Sequence, residues 1–298
     1  MRCARSWSAS GWPQTTGWID PPTALGATLA SRLHAVPGLD AALDRYRATL
    51  PRPVLEPVWP LPEPTVAGGH AGSVTSCAFS PDGTLLATAS DDGTARLWQM
   101  PGGAQVTVLE GHTAGVWDCT FSPDGALLAT ASYDRTVRMW NVADGTVRAV
   151  LIGHTDWAQR CAFSPDGAVL ASAGNDGTAR LWRVADGGAI LTLAGQTGRL
   201  TDCTFSQDGT LMATAGDDGV VLWRMPEGTR LGALTSHTGR VWNCAFSPDG
   251  TVLATCCADG TVRLWRAAGL HELAVLTGHA GRVHRCAFSP SSTSPRSG

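Results

Sequence analysis

Apolar and polar residues alternate along most of the chain in short runs with a period of two, which is typical of half-buried strands. Tight-turn sequences rich in Gly, Asp and Pro interrupt these runs. The pattern therefore predicts short antiparallel strands joined by turns. One representative stretch contains four predicted strands, at Val74–Phe79, Leu85–Ser90, Ala95–Gln99 and Gln105–Leu109.

This four-strand stretch is one copy of a repeat. The motif Cys-Ala-Phe-Ser-Pro-Asp-Gly, which starts at Cys77, recurs with small changes about every 42 residues. A lone unit of four short strands cannot bury both of its faces, so neighbouring units must stack around an axis. The repeated Cys residues are Cys77, Cys119, Cys161, Cys203, Cys244 and Cys286, and the Trp residues that close the units are Trp98, Trp140, Trp182, Trp223 and Trp265.

A Gly-His pair such as Gly69-His70 opens most units, and a Trp closes the third strand. Over residues 69–290 the sequence thereby resembles the WD40 repeat family. The resemblance implies an all-β propeller of five full four-stranded blades plus the first strand of a sixth, Val283–Phe288. Because that unit stops within its turn, we expect a truncated, open arc whose unpaired blade edges can self-associate.

The rest of the chain divides by composition. Residues 1–22 fit no pattern and are expected to be disordered, residues 23–50 show two short helical stripes, and residues 51–68 form a Pro-rich linker. A disordered tail is expected at residues 291–298. The segment from Ile19 to Pro53 is similar to the helical stretch that precedes WD40 repeats in bacterial apoptosome-like signalling NTPases, which implies a regulatory fragment of such a system as an alternative function.

Composition excludes several functions. All 22 basic residues are Arg, and without Lys there is neither a P-loop nor a Schiff-base site. The net charge of −3 gives no basic field for nucleic acid or an anionic membrane. No stretch approaches the roughly 20 apolar residues of a membrane span, and residues 1–20 lack the apolar core of a signal peptide. We therefore expect a cytoplasmic protein without cofactors.

Four of the five full units also carry a His, a Ser or Thr, an Asp and the closing Trp at fixed spacing. The resemblance implies that these four residues form a buried hydrogen-bond relay, from Trp to Ser or Thr, to His, to Asp. In the fourth unit Gln196 replaces the His. The four complete sets are His70, Thr88, Asp92 and Trp98; His112, Thr130, Asp134 and Trp140; His154, Ser172, Asp176 and Trp182; and His237, Thr255, Asp259 and Trp265.

One of these sets contains Ser172, His154 and Asp176, the residue types of a hydrolase triad. A propeller hydrolase is therefore an alternative function. Catalysis would need one distinctive site, however, whereas the set recurs in several units. A buried polar group that lacks partners costs about 1–3 kcal/mol, which explains why the set recurs as a whole. We predict that the protein is not an enzyme.

The Cys residues do not suggest a metal site. Those on first strands lie one unit apart, no Cys-x-x-Cys pair exists, and adjacent residues such as Cys256 and Cys257 point to opposite faces of a strand. We expect small buried apolar side chains and no metal.

Function is expected where the units differ. In the WD40 family one rim of the central channel is built from the start of each first strand and the residue before the hairpin Asp, and we call these positions the channel rim. Aromatic and Arg side chains there are typical of interface hot spots. We predict an interaction scaffold or sensor that binds a peptide or protein segment at this rim; alternatively, Trp117 and Trp242 only pack against neighbouring blades. The candidate residues are Trp117, Asp118, Tyr133, Gln159, Arg160, Asn175, Trp242 and Asn243.

Overall fold

The computed structural model describes residues 69–289, and within this range the chain forms five antiparallel sheets of four strands and no α-helix. In every sheet the strands pair in sequence order, so each sheet is one blade. The five predicted full blades are therefore confirmed. The strands are β1 Val74–Phe79, β2 Leu85–Ser90, β3 Ala95–Gln99 and β4 Ala104–Leu109 in blade 1; β5 Val116–Phe121, β6 Leu127–Ser132, β7 Thr136–Asn141 and β8 Val147–Ile152 in blade 2; β9 Ala158–Phe163, β10 Val169–Gly174, β11 Thr178–Arg183 and β12 Ala189–Ala194 in blade 3; β13 Leu200–Phe205, β14 Leu211–Gly216, β15 Gly219–Arg224 and β16 Thr229–Leu234 in blade 4; and β17 Val241–Phe246, β18 Val252–Cys257, β19 Val262–Arg266 and β20 His271–Leu276 in blade 5.

The repeated turn between the first and second strands is closed by its own side chains. In blade 1 the Ser80 hydroxyl donates to Asp82 Oδ1 at 2.6 Å and accepts the backbone N–H of Leu85 at 2.9 Å. Gly83 has a φ of 71°, which favours glycine. The same Ser and Asp contacts recur in the other four blades. These contacts fix where each second strand starts.

Every first strand carries a β-bulge one residue after its start. In blade 2 the register between β5 and β6 shifts between Val116 and Asp118, so Trp117 has no partner opposite it. Corresponding shifts leave out Gln159 in blade 3 and Trp242 in blade 5. A bulge redirects the extra side chain away from the ladder. Each blade thus has one rim residue whose side chain is turned out of the sheet by the bulge.

Consecutive blades pack through apolar faces. Each first strand lies against the first strand of the next blade. Between blades 1 and 2, buried Leu97 and Leu109 form one cluster with Val116 and Cys119. Cys161, Cys203 and Cys244 occupy equivalent clusters, whereas Cys77 is exposed.

The outer faces of blades 1 and 5 expose apolar side chains at positions that are buried where two blades pack together. Phe79 is 60% exposed, whereas Phe121 at the same position of blade 2 is 8% exposed. Likewise Leu276 is 50% exposed, and Leu109 at the same position of blade 1 is 1% exposed. Self-association through these blade edges stays a prediction.

The sixth first strand, expected at Val283–Phe288, is not formed, because residues 282–289 belong to no β-ladder. A strand needs a hydrogen-bonded neighbour, and no described residue supplies a second strand of this unit. The segment nevertheless lies on blade 5, because the Val283 N–H donates to the Cys257 carbonyl at 3.1 Å and the Cys286 N–H donates to Asn243 Oδ1 at 3.0 Å.

The predictions for residues 1–22, 23–50, 51–68 and 291–298 lie outside the described residues. Over the described range, no helix has the length and apolar character required to span a bilayer.

Candidate functional site

The relay residues come together in each complete set. In blade 2, Trp140 Nε1 donates to Thr130 Oγ1 at 2.9 Å, Thr130 Oγ1 lies 2.8 Å from His112 Nε2, and His112 Nδ1 lies 2.8 Å from Asp134 Oδ2. The same four-residue chain is formed in blades 1, 3 and 5, with distances of 2.8–3.1 Å.

The relay fastens the loop before the first strand to the hairpin between the second and third strands. Besides His112, the Asp134 carboxylate accepts the backbone N–H groups of Thr113 and Thr136. Burial raises the pKa of Asp134, but hydrogen bonds from the side chains of His112 and Thr136 outweigh it and lower the pKa far below its usual value. Asp92, Asp176 and Asp259 have pKa values lowered in the same way.

Blade 4 closes the same loop without a His. Gln196 Oε1 accepts the Thr214 hydroxyl at 2.6 Å, and Asp218 instead accepts the backbone and side-chain groups of Thr197 at 2.6 and 2.7 Å. The loop is therefore held by separate hydrogen bonds to Gln196 and to Asp218 in place of one continuous chain.

The Ser172 set has the geometry of the other relays. Ser172 has no exposed surface, its Oγ accepts Trp182 Nε1 at 2.9 Å, and it lies 2.8 Å from His154 Nε2. A nucleophile must reach its substrate. The buried hydroxyl is already engaged in the relay, so the geometry supports a structural role for this set.

In blade 5, His237, Cys257 and Asp259 bring potential metal ligand atoms within 4.8 Å of one another. The structure therefore places together three ligand types that were expected to form no metal site. Cys257 Sγ accepts the Asp259 N–H at 3.4 Å, as Ser90 Oγ accepts the Asp92 N–H at 3.1 Å in blade 1. This Cys therefore replaces a Ser that caps the hairpin.

A cavity of about 390 Å³ opens at the channel rim. The bulged residue of every first strand contributes to it, because the bulge turns that side chain out of the ladder. The lining residues are Thr75, Trp117, Gln159, Arg160, Thr201, Trp242, His284 and Arg285.

Three aromatic residues of blades 2 and 3, which we call the aromatic cluster, lie beside this cavity. The rings of Trp117 and Tyr133 stack with centroids 5.2 Å apart, and the Tyr133 ring lies 4.1 Å from that of Trp157. Burial and the nearby Asp91 charge raise the pKa of Tyr133 to about 12. Trp157 is 43% exposed, so the aromatic cluster packs on one side and is open to solvent on the other.

Sequence reasoning missed Trp157. It directly precedes β9, and Gly115 and Arg240 occupy the same position in blades 2 and 5. The signal was the variation of this position among otherwise similar units, but only positions within and after the first strand were considered.

A second aromatic pair lies across the rim. The Trp242 ring lies 5.2 Å from that of His284, and the Arg240 guanidinium lies 5.0 Å over the indole. Arg240 also forms an ion pair with Asp217 of blade 4. Trp242 therefore contacts both the guanidinium group of its own loop and the imidazole of the sixth unit.

Beneath the rim, polar side chains at the position before each repeated Cys bond from blade to blade, and we call them the belt: Ser76, Asp118, Arg160, Asp202 and Asn243. The Ser76 hydroxyl donates to Asp118 Oδ1 at 2.9 Å, and Arg160 donates to the same oxygen at 2.5 Å. Arg160 Nε lies 3.3 Å from Asp202 Oδ1, and Asn243 Nδ2 donates to Asp202 Oδ2 at 2.7 Å. The belt thus links all five blades.

The belt accounts for three of the predicted binding residues, Asp118, Arg160 and Asn243, whose polar groups bond to neighbouring blades. Burial raises the pKa of Asp202, although the charge of Arg160 opposes this shift. Gln159 and Asn175 bond to each other at 3.0 Å. Contact of any of these residues with a partner stays a prediction.

Comparison with known proteins agrees with this architecture. The family model "WD domain, G-beta repeat" matches residues 63–99, 103–141, 145–183, 187–224 and 228–266. A ribosome biogenesis protein erb1 of Botryotinia fuckeliana is 44% identical over 57 residues, which is 19% of this chain and 8% of the relative. An uncharacterized WD repeat-containing protein of Synechocystis sp. is 40% identical over 81 residues, 27% of this chain and 7% of the relative.

The chain thus spans less than a tenth of the length of these curated relatives. The family model, in contrast, covers well over half of the chain in five consecutive matches, one for each blade. The chain belongs to the WD40 repeat family.

Proposed function

We propose that this propeller is a non-catalytic interaction scaffold that binds a peptide or protein segment at the channel rim. The observation that supports this proposal most strongly is the rim cavity. The five bulged residues line it together, and neighbouring blades contribute different side chains, namely Thr, Trp, Gln, Thr and Trp in blade order. A common framework that presents dissimilar side chains around one cavity is suited to recognising an extended ligand with several side chains.

The aromatic cluster supports this proposal. Trp117 and Trp242 are half-buried, which agrees with the alternative that they only pack against neighbouring blades. Trp157, however, contacts the Tyr133 ring at a tilt of 37° and leaves 43% of its own surface exposed. An indole held by neighbouring rings and open to solvent is a preorganised contact surface of the kind enriched at interfaces.

The WD40 repeats imply that the chain interacts with other proteins, and the peptide selection described below is designed to identify what binds. The alternative of a regulatory fragment in an apoptosome-like system rests on residues 19–53, which lie outside the described range, and it stays a prediction.

Selection from a displayed peptide library against the immobilised full chain tests the proposal. We expect enriched peptides whose affinity falls at least about tenfold in Trp157→Ala, as is typical of an aromatic hot spot. Phe79→Ala is the matched control, because Phe79 is also a largely exposed aromatic but lies on the outer face of blade 1. Enriched peptides that bind Trp157→Ala as tightly as the wild type would refute binding at the rim.

A further inference from the structure

The residue directly before the first strand is uncharged in blade 3 and positively charged in the units that follow. The position before the first strand is occupied by Trp157 in blade 3, but by Arg199 in blade 4, Arg240 in blade 5 and Arg282 in the sixth unit. Arg285 of the sixth unit also lines the cavity. Three consecutive units thus carry an Arg directly before the first strand, and of these four Arg residues Arg285 lines the cavity.

Three of these four guanidinium groups form no ion pair with a described residue. Arg240 is neutralised by Asp217. Arg199, Arg282 and Arg285 are exposed, and none of them has an ion pair among residues 69–289. This cluster is present although the net charge of the whole chain is −3.

The acidic side chains near the rim balance these Arg residues only in part. Asp217 pairs with Arg240 and accepts the backbone N–H of Arg199. Asp218 accepts the N–H groups of Thr197 and Gly198.

The belt carboxylates Asp118 and Asp202 are buried and share Arg160. Asp91 of blade 1 lies close enough to Tyr133 to raise the pKa of that side chain. None of the eight residues that line the cavity is acidic.

We propose that the ligand of the rim is an acidic peptide segment. Its carboxylates pair with Arg199, Arg282 and Arg285, and an adjacent aromatic or apolar side chain lies on the exposed indole of Trp157. This inference rests on the proposed function, because it names the chemistry of the ligand at the same rim. Arg presents a planar fork of donors that matches a carboxylate, and an unpaired positive cluster accelerates encounter with an anionic ligand.

Fluorescence anisotropy with designed peptides tests this chemistry. The probe is a fluorescein-labelled peptide in which four Glu residues flank one Phe, and the matched peptides replace every Glu by Gln, every Glu by Lys, or the Phe by Ala. We expect the Glu peptide to bind roughly tenfold or more tightly than the Gln peptide at low salt, with no binding of the Lys peptide. The preference for Glu should shrink as salt screens the charges.

Paired Arg substitutions locate the contact. Arg282→Gln combined with Arg285→Gln should remove most of the preference for Glu over Gln, because only Arg199 of the three proposed partners remains. Arg224→Gln combined with Arg266→Gln removes the same charge from exposed residues at the far ends of β15 and β19 and should leave the preference intact. A phosphoserine version of the probe separates the two anion chemistries, and binding of that version without binding of the Glu peptide would overturn the proposal.

The outcomes also separate the two proposals. If rim-dependent peptides emerge from the library but contain no acidic residues, the charge inference is wrong and the rim proposal stands. If no peptide depends on Trp157, both proposals fail. Equal binding of the Glu and Gln peptides likewise overturns the charge inference alone.

Discussion

The relay and the belt are both networks of buried polar groups, but they differ in which residues they connect and in how closely those residues repeat from blade to blade. The relay lies within one blade and recurs with nearly the same residues in blades 1, 2, 3 and 5. The belt runs between blades and uses a different residue in almost every one. In the relay the pKa of Asp134 is lowered, whereas in the belt the pKa of Asp202 is raised.

The difference follows from where the partners come from. All donors and acceptors of a relay belong to one repeat, so the same four residues can occur in every blade. A belt residue bonds to the equivalent residue one repeat away, so identical residues would place like charges together. Asp118 and Asp202 are therefore separated by Arg160, which bonds to both. Variation between repeats has a structural cause here, as well as the functional cause expected at the rim.

The largest effect is expected in the belt. Arg160→Met removes the cation that two buried carboxylates share, and breaking a buried charge network in this way costs about 3–5 kcal/mol of unfolding free energy. Urea denaturation of the full chain measures the loss. Arg224→Met, at an exposed strand end, is the control and should change stability by less than about 0.5 kcal/mol.

Adding Asp202→Asn to Arg160→Met tests the electrostatic origin of the loss. The double variant should be more stable than Arg160→Met alone, because one uncompensated buried charge has been removed. A double variant that is less stable would show that packing, and not charge, dominates at this position.

A smaller effect is expected in one relay. Thr130→Val keeps the side-chain shape but leaves Trp140 Nε1 and His112 Nε2 without their shared partner, at a cost of about 1–3 kcal/mol. The same urea measurement detects it. Thr155→Val, at an exposed position of the loop before β9, should be nearly neutral. Equal costs for the two variants would show that the relay contributes little.

The smallest effect is on the pH dependence of stability, and its sign should differ between the two networks. The folded pKa of Asp134 lies below its unfolded value of 3.8, so its contribution is complete above that value and is lost as the pH falls towards the folded pKa. The folded pKa of Asp202 lies above 3.8, so its contribution becomes more favourable as the pH falls through the folded pKa towards 3.8.

Unfolding free energy measured from pH 7 to pH 3 distinguishes these cases. Asp134→Asn should flatten the loss of stability towards acid, and Asp202→Asn should steepen it. The same direction of change in both variants would contradict the distinction between the networks.

The strand pattern and the relay were predictable from sequence because each is contained within one repeat. Period-two alternation and the Ser-Pro-Asp-Gly turn set the bounds of β1, β2 and β3 as the structure has them. The fixed spacing of His, Thr, Asp and Trp likewise indicated the set that bonds together in blade 2.

The belt and the aromatic cluster were not predictable in the same way, because their contacts join different repeats. Ser76 and Asp118 are 42 residues apart, and nothing in either repeat alone shows that they bond. Trp157 reaches Tyr133 across the boundary between blades 2 and 3. The segment 282–289 differs for a related reason, since strand pairing requires a neighbour that the pattern of one strand does not specify.

The alternation of donors and acceptors along the belt has a consequence for the evolution of the repeat array. Deleting blade 3 as a unit would bring Asp118 against Asp202, and exchanging blades 2 and 3 would leave Asp118 and Asp202 adjacent as well. Duplicating blade 2 would create the same acidic clash. The repeats of this protein are therefore not interchangeable, although their frameworks are nearly identical. The buried charges of the belt determine which blade can lie next to which.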